Sequence, residues 1–329
     1  MDDTEKTIDM NDLVRGCQAA IKENPNDAIA YHNLGSAYFQ LKRYEEALIS
    51  LKQSIKLRPN SAITYNTLGI VYSCLTRYEE AVNAFKQVIN LDPDYADAYH
   101  NLGMVYGNLK RYEEAIPPLK QAIQLNPENF LIYDSLGDVY NLLKRYREAI
   151  ILYEQAIKLG SEDPRTYFNL GITCKELKRN EEAINAFKQA IKIKPDYAKA
   201  YHELGYVCGN LGRYEESIIA FKQAIRLNPN YTEAYHNLGV VYENFRHYEE
   251  AATTFRQAIK LDPDNVNPYI RLGLVCDILG YYEESITSYK QAIKLDPDKS
   301  KYHNNLGDTY TCLGRYEEAL TEWKQQLNK

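Results

Sequence analysis

Histidine and asparagine recur side by side along this chain, at His32-Asn33, His100-Asn101 and His236-Asn237. His202 continues the histidine row, and Asn169 and Asn305 extend the asparagines. The chemistry on offer is hydrogen bonding in both directions, since an asparagine carries one acceptor oxygen and two N–H donors and a neutral histidine carries one of each. A row of such amides can hold an extended peptide by its backbone without demanding a particular side chain. Cations stand near the rows at Arg165, Lys199 and Arg271.

Other chemistries find no footing. The histidines are spaced by 34 residues or multiples of it, whereas a metal needs ligands converging to about 2 Å from one ion. They are therefore read as hydrogen-bonding groups with a mild pH response near neutrality, and no metal or cofactor is expected. There is no phosphate-binding glycine loop, nucleophile elbow or His-Glu metal helix, so catalysis is not expected. The six cysteines show no CxxC or mixed Cys/His spacing. Cys174, Cys208 and Cys276 take the place that tyrosine holds at Tyr38, Tyr72 and Tyr106, which predicts buried packing residues in a reducing, cytoplasmic setting.

The elements that must position these rows follow from the glycines. Gly35, Gly69, Gly103, Gly137, Gly171, Gly205, Gly239, Gly273 and Gly307 step by 34 residues, each after a leucine. A period this strict means one small unit copied along a line. Aligned on it, nine units run from residue 28 to residue 329, the last one shortened. Within a unit the apolar residues keep helical spacing twice. Tyr99, Leu102, Gly103 and Tyr106 trace one stripe, and Tyr112, Ala115, Leu119, Ala122 and Ile123 trace a second. A polar break at Lys110-Arg111 separates them, and a proline such as Pro93 or Pro263 follows the second. Each unit thus reads helix, turn, helix, turn. The glycine, costing about 1 kcal/mol within a helix, marks a close helix–helix approach.

The pattern Tyr235-His236-Asn237-Leu238-Gly239-Val240-Val241-Tyr242, followed by Tyr248, Ala251, Phe255, Ala258 and Pro263, resembles the tetratricopeptide repeat. The resemblance covers about residues 10–329. It implies an all-α fold, a right-handed superhelical solenoid of antiparallel helix pairs (an α-α superhelix) whose first helices line a concave groove. It further implies that the residue two before each glycine faces that groove. Every odd unit has asparagine there, which resembles the asparagine ladder of peptide-binding members. A clamp for a C-terminal carboxylate is not matched, because Glu203 follows Arg165 and Asn169 where that pattern needs asparagine. The expected groove residues are therefore Asn33, Asn101, Asn169, Asn237 and Asn305, His32, His100, His202 and His236, with Arg165, Lys199 and Arg271. Groove charge comes in bands, and Ile29, Phe39, Ile63 and Ile70 make its beginning more apolar.

Irregularities punctuate the array. Residues 1–9 are polar and read as disordered, and residues 10–27 read as a lone capping helix matching the second half of a unit. Pro117-Pro118 fall inside a second helix, and Gly160-Ser161-Glu162-Asp163-Pro164 replaces a regular turn, so residues 110–185 are expected to be the softest stretch. The paired glutamates, Glu45-Glu46 through Glu317-Glu318, suit a helix start and need no partner on that account. A net charge of −6 argues against a dedicated nucleic-acid binder, and no apolar run is long enough to span a bilayer. The expected function is a non-catalytic scaffold for a protein or peptide segment. The alternatives are self-association through the uncapped C-terminal unit and service as the targeting part of a larger enzyme lying beyond Lys329.

Overall fold

The computed structural model describes residues 10–327, so the disorder expected for residues 1–9 falls outside the described part. The described chain is helical with no strand, and it divides into two compact units, the first ending at Glu162 and the second beginning at Asp163. The first unit begins with α1 (Met10–Glu23), followed by four helix pairs: α2 (Ala28–Gln40) with α3 (Tyr44–Leu57), α4 (Ala62–Cys74) with α5 (Tyr78–Leu91), α6 (Ala96–Asn108) with α7 (Tyr112–Leu125), and α8 (Phe130–Leu142) with α9 (Tyr146–Lys158). The second unit holds five pairs: α10 (Pro164–Glu176) with α11 (Asn180–Ile193), α12 (Ala198–Asn210) with α13 (Tyr214–Leu227), α14 (Thr232–Asn244) with α15 (Tyr248–Leu261), α16 (Val266–Leu279) with α17 (Tyr282–Leu295), and α18 (Ser300–Cys312) with α19 (Tyr316–Leu327).

Within each unit every helix packs on its neighbours in chain order, and each first helix also touches the next first helix. Among the described residues second helices reach one another only through side chains, as in the Arg256–Glu284 ion pair at 2.7 Å, and their backbones stay apart. First helices therefore line the inner side of each stack, as the resemblance implies, and the all-α helix-pair class is what both units show. No described helix is long and apolar enough to cross a membrane.

The turn inside each pair is one motif repeated nine times. The residue two before each second helix is left-handed, with φ near 60° at Lys42, Thr76, Lys110, Lys144, Lys178 and Arg246, and glycine at Gly212, Gly280 and Gly314. The next N–H returns to a carbonyl of the last helical turn, as in Arg111 N to Tyr106 O at 2.9 Å, and Lys110 N donates to Gly107 O at 2.9 Å. These two bonds satisfy carbonyls that the helix end would otherwise leave open. The arginine after the left-handed residue is then held twice. In five pairs its guanidinium lies 4.4–4.9 Å over the tyrosine ring, as Arg145 over Tyr140. It also donates to the second glutamate of the pair that opens the next helix, as Arg77 to Glu80 at 2.6 Å. The glutamates thus have a partner that their place at a helix start did not call for.

The ladder glycines each face one large side chain of the second helix: Leu51, Phe85, Leu119, Tyr153, Phe187, Phe221, Phe255, Tyr289 and Trp323 in turn. Most of those side chains are fully buried, so the glycine makes room for the residue that fills the core of its pair. Cys174, Cys208 and Cys276 are buried as expected.

Candidate functional site

In the first unit the first helices carry Asn33, Thr67, Asn101 and Ser135 two residues before each glycine. Each hydroxyl in that row turns back on its own helix, Thr67 Oγ1 donating to Ile63 O at 3.0 Å and Ser135 Oγ to Leu131 O at 2.8 Å. The asparagines do otherwise. Asn101 Nδ2 donates across to Asn66 Oδ1 of the preceding pair at 3.3 Å, which fixes its amide and leaves Oδ1 and one N–H without a partner among the described residues. Asn33 is exposed, and among the described residues its side chain has no partner.

The histidines share that cross-linking. His100 Nε2 meets Ser135 Oγ at 2.9 Å, and His32 Nδ1 meets Thr64 Oγ1 at 3.2 Å, each tying one pair to the next. Burial holds both imidazoles below the ordinary histidine pKa, with Asp97 pulling weakly upward on His100. They are neutral at pH 7.

The second unit repeats the alternation with charges in place of hydroxyls. Glu203 and Arg271 stand between Asn169, Asn237 and Asn305, and each is neutralised by the preceding pair. Lys175 Nζ reaches Glu203 Oε2 at 2.6 Å, and Arg271 Nη1 reaches Glu243 Oε1 at 3.0 Å. Burial pushes the Glu203 carboxyl up, but hydrogen bonds from His202 and Lys175 outweigh it and hold it below the usual carboxylate range. Asn237 Nδ2 donates to His202 Nε2 at 3.0 Å, the same cross-pair bond that Asn101 makes.

His202 itself is only 6 % exposed, stacked 4.8 Å from the Tyr231 ring and edge-on to Phe221 at 5.5 Å. It orients Asn237 rather than presenting itself. His236 is half-buried beside Phe255, and burial, helped by Arg271, keeps its pKa low. Of the expected cations, Arg165 pairs with Asp163 at 2.7 Å and Arg271 with Glu243, while Lys199 is exposed.

Two contributors escaped the sequence reading. Asn66 occupies the histidine position of its unit and anchors Asn101. It was findable by aligning that position in every unit rather than following histidine alone. Arg58 caps α3 where other units carry Asp92, Asn126, Gly160, Lys194, Asn228, Asp262 or Asp296, and a cation there, shared only with Lys194 among these, was its signal. Among the described residues no three histidine, cysteine or acidic side chains gather closely enough to hold a metal.

Sequence models described as tetratricopeptide repeat match residues 28–94, 96–129, 130–196, 186–219 and 232–265, and one described as TPR repeat matches 210–244 and 278–311. No curated protein matches the chain. Among solved structures, YrrB, described as a TPR protein with an unusual peptide-binding site, is 24% identical over 57% of this chain and 96% of its own, with a TM-score of 0.53. PilF of Pseudomonas aeruginosa is 22% identical over 63% of this chain and 94% of its own, with a TM-score of 0.52. The Cut9–Hcn1 hetero-tetramer of the APC/C is 16% identical over 91% of this chain and 58% of its own, with a TM-score of 0.51. At these identities the likeness is one of fold.

Proposed function

The chain belongs to the tetratricopeptide repeat family, a family of protein-interaction scaffolds, and we propose that it is a non-catalytic member that holds an extended protein segment by its backbone against the inner face of its first helices. One observation carries the reading. At the position two before the ladder glycine, hydroxyls bond their own helix and charges are paired, while Asn101 and Asn237 have their amides fixed by the preceding pair and keep an acceptor oxygen open. Fixed amides lose little rotamer entropy on binding, which favours affinity without new contacts. Neutral amides beside internally paired charges suit a peptide backbone better than a charged surface. In this proposal residues 10–27 form a capping half-unit, residues 28–329 form nine repeats, and the protein works in the cytoplasm without nucleic acid.

A phage-displayed library of random dodecapeptides, screened against the full chain, supplies the probe. Peptides that bind the wild type and lose at least about tenfold in affinity, roughly 1.4 kcal/mol, in the Asn101→Ala/Asn169→Ala/Asn237→Ala variant support the reading. Unchanged affinity in a folded variant sinks it.

A second reading rests on a different observation. Leu320 is 51% exposed and Tyr316 68%, whereas Ile286, the counterpart of Leu320 one repeat earlier, is 4% exposed. A second copy of the chain docking there is the homo-oligomer alternative, and a following segment of a longer protein, an enzyme included, would cover the same residues. Light scattering across concentration separates them, since a persistent monomer rejects self-association.

A further inference from the structure

The first unit begins in a hollow of about 250 Å³ whose lining includes Ile29, His32, Asn33, Arg58, Ile63 and Thr64. Pockets for drug-sized ligands run from about 300 Å³ upward, so this one has room for a side chain or two. Its walls are two isoleucines held open to water, Ile29 at 60% and Ile63 at 57% exposure. Arg58 stands at its rim, exposed and without an ion pair among the described residues. Of the two asparagines that this unit carries two residues before a ladder glycine, Asn33 is the one whose amide no described neighbour holds.

These features are local to the first two repeats and do not belong to the scaffold. One repeat further on, the positions of Ile29, Arg58 and Ile63 are filled by Ile63, Asp92 and Asp97, an acidic edge. The His32 imidazole, bonded to Thr64 and kept neutral by burial, adds no charge. The carboxylate of Asp27 is turned onto the amides of Ile29 and Ala30 at 2.9 and 3.0 Å, capping α2. The cation at the rim is thus Arg58, and it lies beside apolar surface from which a bound chain would displace water.

We propose that this hollow is an anchor site for an aliphatic side chain carried next to an aspartate or glutamate in an extended partner segment, with Ile29 and Ile63 taking the aliphatic group and Arg58 the carboxylate. A guanidinium offers a planar fork of donors that matches a carboxylate's two oxygens. Burial of an aliphatic side chain supplies most of the affinity, and the ion pair supplies the choice of neighbour. Asn33, its amide unclaimed, is left to bond the segment's backbone between the two. This inference rests on the peptide-binding function proposed above and names the sequence that the groove selects at its beginning.

The test uses the same random dodecapeptide library on the full-length wild type, on Arg58→Glu and on Ile29→Ser/Ile63→Ser. All three replaced residues are exposed, so the variants fold, and circular dichroism checks that they do. Selected peptides enriched in Leu, Ile or Val beside Asp or Glu, with Arg58→Glu reversing the acidic preference to a basic one and the isoleucine variant lowering affinity at least about tenfold, establish the anchor. Peptides that bind and depend on Asn101 and Asn237, yet show no acidic preference and are untouched by Arg58→Glu, overturn the anchor while leaving the groove intact. Recovery of no binding peptide overturns both.

Discussion

The Cβ that Gly239 lacks would lie 2.5 Å from Cε1 of Phe255. That ring is fully buried in one core cluster with Phe221, Leu238, Val241 and Val275. The glycine is therefore the mould around a core aromatic, and the ladder visible in the sequence is the trace of nine such contacts. At Gly205 the fit is looser, since its Cβ would stand 3.0 Å from the nearest Phe221 atoms.

Alanine at these two positions separates fit from helix propensity. Alanine in place of glycine gains about 1 kcal/mol in a helix, while forcing atoms into a packed core costs about 1–3 kcal/mol. Gly239→Ala is expected to lose about 1–2 kcal/mol net and Gly205→Ala to fall within about 1 kcal/mol of wild type. Thermal unfolding, with hydrogen exchange over α14 and α15 to localise the effect, provides the measurement. Equal losses at both sites would show that the close contact does not set the glycine requirement.

The turns predict gains rather than losses. Lys110 holds φ at 60°, a conformation that L-residues other than Asn and Asp adopt at a cost of about 1–2 kcal/mol. Gly212, Gly280 and Gly314 fill the same position elsewhere. Lys110→Gly is expected to stabilise by about 0.5–1 kcal/mol, the steric relief exceeding glycine's larger unfolded-state entropy. The reverse change, Gly212→Lys, is expected to destabilise by a similar amount, and a urea midpoint for each decides the matter.

The repeating parts of this architecture were legible in the chain, and the contacts between repeats were not. The spacing of Tyr99, Leu102, Gly103 and Tyr106 dictates a helix face, and a tyrosine position that tolerates Cys174 or Cys208 must be buried; both follow from local period alone. The bond from Asn237 to His202 joins residues 35 positions apart, and that from Lys175 to Glu203 joins residues 28 apart. Neither interval is the repeat length, because each bond joins two different positions of neighbouring repeats. Counting equivalent positions therefore showed an asparagine row and a histidine row, and hid that one orients the other. The pairing of Arg111 with Glu114 was equally hidden, since the left-handed turn that aims the arginine cannot be read from Lys110.

Pro117 and Pro118 lie inside α7 and supply no N–H to the carbonyls of Glu113 and Glu114. The helix nonetheless runs unbroken from Tyr112 to Leu125, with Pro118 buried in the place of Ala84 and Pro117 exposed in the place of Asn83. The softness expected over residues 110–185 is thereby assigned a centre, the first two turns of α7. Amides there are expected to exchange faster than their counterparts in α5 and α13. Pro117→Asn is expected to slow that exchange and to stabilise by about 1–3 kcal/mol. Protection in α7 equal to that in α5 would remove the prolines as a source of local opening.

His32, His100 and His236 share a direction of shift, and it fixes the sign of the pH response. Burial lowers each folded-state pKa beneath the unfolded value of about 6.5. Above that value the ring is neutral in both states, and the full stability is present. As pH falls, the unfolded chain takes up protons that the folded one refuses, and stability is lost progressively as the folded pKa is approached. The urea midpoint is expected to decline from about pH 7.5 to about pH 5.5. His100→Gln, which keeps a hydrogen-bonding group near Ser135 and removes the titrating ring, is expected to flatten the part of that decline belonging to the first unit. A midpoint that rises on acidification, or a slope untouched by the substitution, would mean that the inner-face histidines do not carry the response.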